Sequence, residues 1–173
     1  MPITLYDAVV PSQLQILGSI HRLIGKAEAF CAEKALDPAE IIEARVAPDM
    51  FPFGYQVRSV TTHSFGAIEG VRRGTFSPDR SPHPTSFAAL SALVEAALTG
   101  LQAVTPEELE SVVGRDMRFA FGDFVMDFTA ENFLLSFSQP NFYFHATTAY
   151  GILRGKGLEI GKRDYIGAVR KTA

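Results

Sequence analysis

His63 and His145 are the side chains in this sequence best placed to do chemistry. Each sits on a polar stripe of an otherwise apolar helical pattern. A neutral imidazole can ligate a metal, accept a hydrogen bond or relay a proton. The run from Asn141 to Arg154 is aromatic-rich and too apolar for a surface helix, yet Asn141, His145 and Thr148 fall at i, i+4 and i+7 and share one face. Burying three polar side chains costs free energy unless each finds a partner, so the stripe predicts a hydrogen-bond network or a site. Earlier in the chain Gln56, Ser59, Val60, His63 and Ala67 form a comparable stripe. Facing helices are how bundles build metal and ligand sites. The expectation is a small-molecule cleft lined by Gln56, Ser59, His63, Asn141, His145 and Thr148, with His63 and His145 as candidate metal ligands.

Two histidines fall short of the three protein ligands, plus water, that a catalytic zinc site uses. The sequence has no His-x-x-x-His and no Glu-x-x-His pattern. The nearest acids, Glu69 after His63 and Glu131 before His145, lie more than one helical turn away. A divalent metal is therefore expected only with an incomplete ligand set. His83, between two prolines, reads as a surface residue, and His21, beside an apolar helix face, as a packed or boundary one. Cys31 is the only cysteine, which excludes an intrachain disulfide and fits a reducing compartment. It follows Ala29 and Phe30 in an apolar helical pattern, not the electropositive setting a reactive thiol needs. Gly155-Lys156-Gly157 has no preceding strand and is no phosphate loop, and no serine stands in a nucleophile-elbow pattern. Phe142, Tyr143, Phe144 and Tyr150 read as core.

The elements that must position these residues are mostly helices. From Tyr6 to Lys34 the apolar residues Val10, Leu14, Leu17, Ile20, Ile24, Ala27 and Cys31 recur every three or four positions, which predicts a long helix with Pro11 near its start. Asp37-Pro38-x-Glu40 predicts a capped short helix. A single helix is expected from Pro48–Pro52 to about Gly70, with Phe53, Val57, Val60, Ser64, Ala67, Ile68 and Val71 on its apolar face. Three prolines and a glycine make residues 72–85 a loop. Thr85 or Ser86 then caps a helix through Leu101, and Thr105-Pro106-Glu107-Glu108 opens a short one. Alternation around Gly122-Asp123 predicts a β-hairpin over 117–128. Thr129 caps the last long helix, which Pro140 should kink or break before it ends near Gly155, and residues 161–167 form a short packed turn or helix.

At 173 residues, with 47% hydrophobic and 20% charged residues, the chain suits one domain spanning 1–173 with a substantial core. A net charge of −3 argues against nucleic acid as a partner. From Arg154 onward six Lys/Arg face only Glu159 and Asp164; this basic end reads as a solvated tail that offsets the negative pole of the preceding helix. No run of 18 apolar residues predicts a membrane span, and the first residues show no signal-peptide pattern, so a cytoplasmic location is expected.

The run Pro140-Asn-Phe-Tyr-Phe-His145 with Thr147-Thr148-Ala149-Tyr150 resembles an uncharacterised bacterial family within the DinB/YfiT-like superfamily. The likeness continues through Gly161-Lys-Arg-Asp-Tyr165, Pro48-Asp-Met-Phe-Pro-Phe53 and Gln56-Val57, and so covers nearly the whole chain. It implies an all-α, up-and-down four-helix bundle, commonly a homodimer, here with a small β-hairpin before the last long helix. Better-known members of the superfamily are metal-dependent enzymes, among them thiol S-transferases and a thiol-dependent isomerase. They hold metal with one histidine on the second helix and a His-x-x-x-His pair on the last. His145 matches one member of that pair. Its i+4 neighbour is Ala149, which cannot ligate, and its i−4 neighbour is Asn141, a poor ligand for catalytic zinc. His63 lies on the matching second helix, with Gln56 and Ser59 as alternatives for that place. The resemblance thus implies the bundle and its cleft with an incomplete metal site. Three readings follow: a small-ligand cleft, a divergent metal-dependent thiol transferase, or a structural or regulatory homodimer.

Overall fold

The computed structural model describes residues 2–171. Helix α1 spans Leu5–Lys34. Thr4 caps it through a reciprocal box with Asp7, and Val10, Leu17, Ile20, Ile24, Ala27 and Cys31 are buried along the face that the three-to-four spacing predicts. Pro11 lies inside the helix without ending it. The short α2 (Ala39–Ile42) is started by Asp37, whose Oδ1 accepts from the Ala39 N–H. Glu40 does not reach back, so the expected box is only half formed. Ser86 caps α5 (Phe87–Gln102) through the Ala89 N–H, and Thr105 caps α6 (Pro106–Glu110) through the Glu108 N–H.

The single helix expected over 53–70 is two helices, α3 (Phe53–Thr62) and α4 (Phe65–Arg73), broken at His63-Ser64. The cause is local competition for backbone carbonyls. Thr61 and Thr62 hydroxyls both donate to the Arg58 carbonyl, and Ser64 Oγ donates to Val60 O at 2.8 Å. The break frees the His63 carbonyl, which Ser138 Oγ takes at 2.8 Å and Gln13 Nε2 at 3.4 Å. Two other elements therefore hold the break in place. The apolar face is unaffected: Phe53, Val57, Val60, Ser64, Ala67, Ile68 and Val71 are all buried.

The hairpin forms as expected, from β2 (Asp116–Phe121) and β3 (Phe124–Thr129) below. Within 72–85, read as loop, Thr75–Phe76 forms a strand, β1, that pairs in parallel with β2 in the register Phe76↔Phe119. β2 pairs antiparallel with β3, so the sheet has three strands in the order β1-β2-β3. Gly122, first of the two turn residues, takes φ 58°, which a type II′ turn requires. One face of the sheet buries Phe76, Met117 and Phe119 against the helices.

After β3 the chain enters α7 (Ala130–Asn132), a π-helical stretch (Phe133–Ser138) and α8 (Gln139–Gly155). Thr129 stands at the start of α7, but its hydroxyl makes no cap hydrogen bond, contrary to expectation. Pro140 does not break the helix but stands in the first turn of α8. Its ring would clash with the carbonyl four residues back, and the widened π turn just before it removes that conflict. α1 packs on α5, α3 packs on α8 and α5, and α8 also touches α1. The basic end is docked rather than free. α9 (Lys162–Ile166) packs on α1, where Lys26 Nζ meets Asp164 Oδ1 at 2.6 Å and Gln15 donates to the Ile166 carbonyl. No helix among the described residues is long and apolar enough to cross a membrane.

Candidate functional site

α3 faces α8, and that packing brings His63 and His145 together. Their ring centroids lie 5.8 Å apart and their planes 12° from parallel. His145 Nδ1 is 2.7 Å from Gln56 Oε1, while Gln56 Nε2 donates to the Phe51 carbonyl at 2.9 Å. That second bond orients the amide, so Gln56 Oε1 can only accept and His145 Nδ1 must carry the proton. The lone pair of His145 therefore resides on Nε2. His63, at the end of α3, has Nδ1 buried without a partner and packs against Phe76 and Phe137.

Both rings are held neutral. Burial pulls His63 down to about 3, with a further push from His145, and burial pulls His145 down to about 4. A base that weak is poorly matched to proton abstraction near neutral pH. Neutral imidazole is, however, the form that ligates metals and accepts hydrogen bonds.

The other stripe residues are placed differently. Ser59 is buried on α3 between Gln56 and His63, and its carbonyl accepts the His63 N–H. Asn141 Nδ2 donates to the Phe137 carbonyl at 2.7 Å, satisfying a backbone group at the Pro140 junction. Thr148 Oγ1 donates to the Phe144 carbonyl of its own helix. Neither spans the two helices, so the three-residue network expected on α8 is not formed. Only His145 bonds across. Four-residue spacing serves helix-internal bonds and a cross-helix site equally well, so the pattern could not separate them.

The expectation of a divalent metal with an incomplete ligand set can be tested on this pair. His145 keeps its Nε2 lone pair free, but Ala149 supplies no ligand and the Asn141 amide donates to its own backbone. Among the described residues no group of three or more His, Cys, Asp or Glu could hold a metal ion. The residues present do not fit a three-ligand centre.

His83, expected at the surface, instead packs over Gly54 and places Nε2 2.8 Å from Glu43 Oε1. His21 meets Glu95 at 3.0 Å as a boundary residue. Cys31 is buried, and burial pushes its thiol up.

Two residues that the stripes did not mark stand beside the pair. Tyr55 meets the His145 ring edge-on at 6.2 Å, and the Arg58 guanidinium lies 4.7 Å above the Tyr55 ring. The available signal was an arginine three residues after a tyrosine on a largely buried helix.

No curated protein matches the chain. A crystal structure of a DinB family member protein from Shewanella denitrificans is similar, at 28% identity and TM-score 0.80, over 98% of this chain and 95% of that one. Residues 5–166 match the family described as a domain of unknown function, DUF1993, and the chain belongs to that uncharacterised, DinB-like family.

Proposed function

We propose that the protein is a small-molecule-binding helical bundle, with α1, α3, α5 and α8 as its up-and-down four-helix frame and the Gln56–His145–His63 group as the polar floor of its cleft. The observation that carries this reading is the chain of bonds from the Phe51 carbonyl through Gln56 to His145 Nδ1, which fixes a neutral imidazole with its lone pair on Nε2. With the unpartnered Nδ1 of His63 beside it, the site offers ring nitrogens to N–H or O–H groups of a ligand. A buried polar atom without a partner costs free energy that a complementary ligand recovers. The test is a thermal-shift screen of small amides, alcohols and thiols. A saturable shift that is lost in His145→Ala and kept in Asn141→Ala supports the reading. A flat screen overturns it.

The proximity of two neutral imidazoles favours one second reading, a divergent metal-dependent enzyme of the thiol S-transferase type. Elemental mass spectrometry on untagged protein decides between them. About one equivalent of divalent metal, lost in His145→Ala, replaces the first reading with the second. A homodimer in the cytoplasm belongs to the same proposal. It is supported by exposed Phe144 on α8, which a second copy would cover, and by the lone, buried Cys31, which fits a reducing compartment. A monomeric mass at micromolar concentration overturns the dimer.

A further inference from the structure

Beside Tyr55, which also meets the His145 ring edge-on, lies a concavity of about 450 Å³ between the start of α3 and the 78–83 loop. Its wall holds three guanidiniums, Arg45, Arg58 and Arg80, against one carboxylate, Asp79. Hydrogen bonds from the Ser81 backbone N–H and hydroxyl, and to a lesser degree the Arg58 charge, hold the Asp79 carboxyl below its usual range. Arg58 is 7% exposed, and its Nη1 is buried with no partner. No carboxylate is within ion-pair distance of any of the three arginines among the described residues.

One carboxylate thus stands against three guanidiniums, and a buried guanidinium that is only partly neutralised is costly. Other positive features converge on the same wall. Arg45 is anchored by a bond from Nη1 to the Met50 carbonyl, and Arg80 lies over the Phe121 ring. No side chain caps α3, whose N-terminal end borders the concavity at Pro52 and Tyr55, with the Phe53 N–H already taken by the Ala44 carbonyl. The apolar part of the wall is flat. Phe51 and Tyr55 stack at 3.9 Å with planes 16° apart, and Phe51 is 57% exposed although it is large and apolar.

The geometry points to a binding site for a small organic oxyanion with a planar apolar body, its carboxylate or phosphate group on Arg58 and its flat part on the outer face of Phe51, since Tyr55 is covered by Phe51 and Arg58. Arg45 and Arg80 close over the charged end from the rim. A guanidinium suits this group because its parallel N–H donors match two oxygens of a carboxylate or phosphate. The site is distinct from the imidazole pair and stands whether or not that pair binds a ligand.

Titration calorimetry on the full-length protein with benzoate, phenyl phosphate and inorganic phosphate tests it. Saturable binding of benzoate or phenyl phosphate is expected, weakened at least about tenfold in Arg58→Gln and unchanged in His145→Ala, since a charge-assisted bond to a buried arginine contributes that much or more. Arg80→Ala, at an exposed position, is expected to weaken binding without disturbing the fold, which keeps the test decisive if Arg58→Gln does not fold. Inorganic phosphate alone should bind more weakly than phenyl phosphate, and equal affinity would overturn the role of the flat wall. No saturable binding of either aromatic probe, or binding indifferent to both arginine substitutions, overturns the site.

Discussion

The two polar regions on α3 are neighbours built on opposite principles. The inner one, Gln56 with His63 and His145, is buried, neutral and hydrogen-bonded across two helices. The outer one, Tyr55 and Arg58 with Arg45 and Arg80, is charged and walled by a loop. Tyr55 adjoins both, meeting His145 edge-on and lying under the Arg58 guanidinium. One helix serves both because Gln56, Ser59 and His63 recur on one stripe and Tyr55 and Arg58 on the next. Burial removes charge where proton loss is cheap, as on imidazole, and leaves a cation only partly neutralised by Asp79 where it is not.

Acid should break the comparison most strongly, because it acts on the inner region through its histidines. Their folded values, about 3 and about 4, lie below the ordinary imidazole value of 6.5, so below 6.5 the unfolded chain binds protons that the folded chain does not. Stability is therefore full above pH 6.5 and falls as pH drops toward 4. Each histidine contributes about 1.4 kcal/mol per pH unit, or roughly 4 kcal/mol for the pair by pH 5. Urea denaturation at pH 7.5 and 5 measures this, and His145→Gln should remove about half of the slope.

Next in size is Gln56→Leu, which leaves the His145 Nδ1–H without its acceptor and should cost about 2 kcal/mol in the same assay. If oxyanion binding survives that change, the two regions are independent. The outer wall is probed by Gly54→Ala. A Cβ there would stand 2.5 Å from His83 Cδ2 and 3.2 Å from the Pro84 carbonyl oxygen. Overpacking of about 1–2 kcal/mol should appear in thermal denaturation, with His83 pushed out of the pocket wall and benzoate affinity reduced. The smallest effects belong to Asn141→Ala and Thr148→Ala, whose side chains only serve their own helix. Each should change stability by no more than about 0.5 kcal/mol, and a larger loss would show that the stripe on α8 acts as a unit.

Much of the frame was legible from pattern. The buried faces of α1, α3–α4 and α5, the caps at Ser86 and Thr105 and the Gly122-Asp123 turn all appear where spacing and turn chemistry place them. The break at His63 was missed because the apolar period runs through it undisturbed. What ends α3 is the cluster Thr61, Thr62 and Ser64, whose hydroxyls compete for the carbonyls a continuous helix would use. β1 was missed because two residues in a proline-rich segment have no period to read, and they become a strand only when β2 lies alongside. At the candidate site, the polar stripes named His63, His145 and Gln56. They could not tell Asn141 and Thr148 from true cross-helix residues, nor mark Arg58.

The information carried by the sequence alone is local: which residues form helices, which face each helix buries, where most of them start, and that Asn141 and Ala149, not histidines, stand four residues either side of His145. These follow from side-chain periodicity, capping and residue identity, which need no distant partner. Only the tertiary structure decided that His63 and His145 meet, that Gln56 fixes the His145 tautomer, and that Arg45, Arg58 and Arg80 surround one concavity. Those outcomes depend on contacts between residues up to 89 positions apart, and no local pattern encodes where two helices or a loop will come to rest against each other.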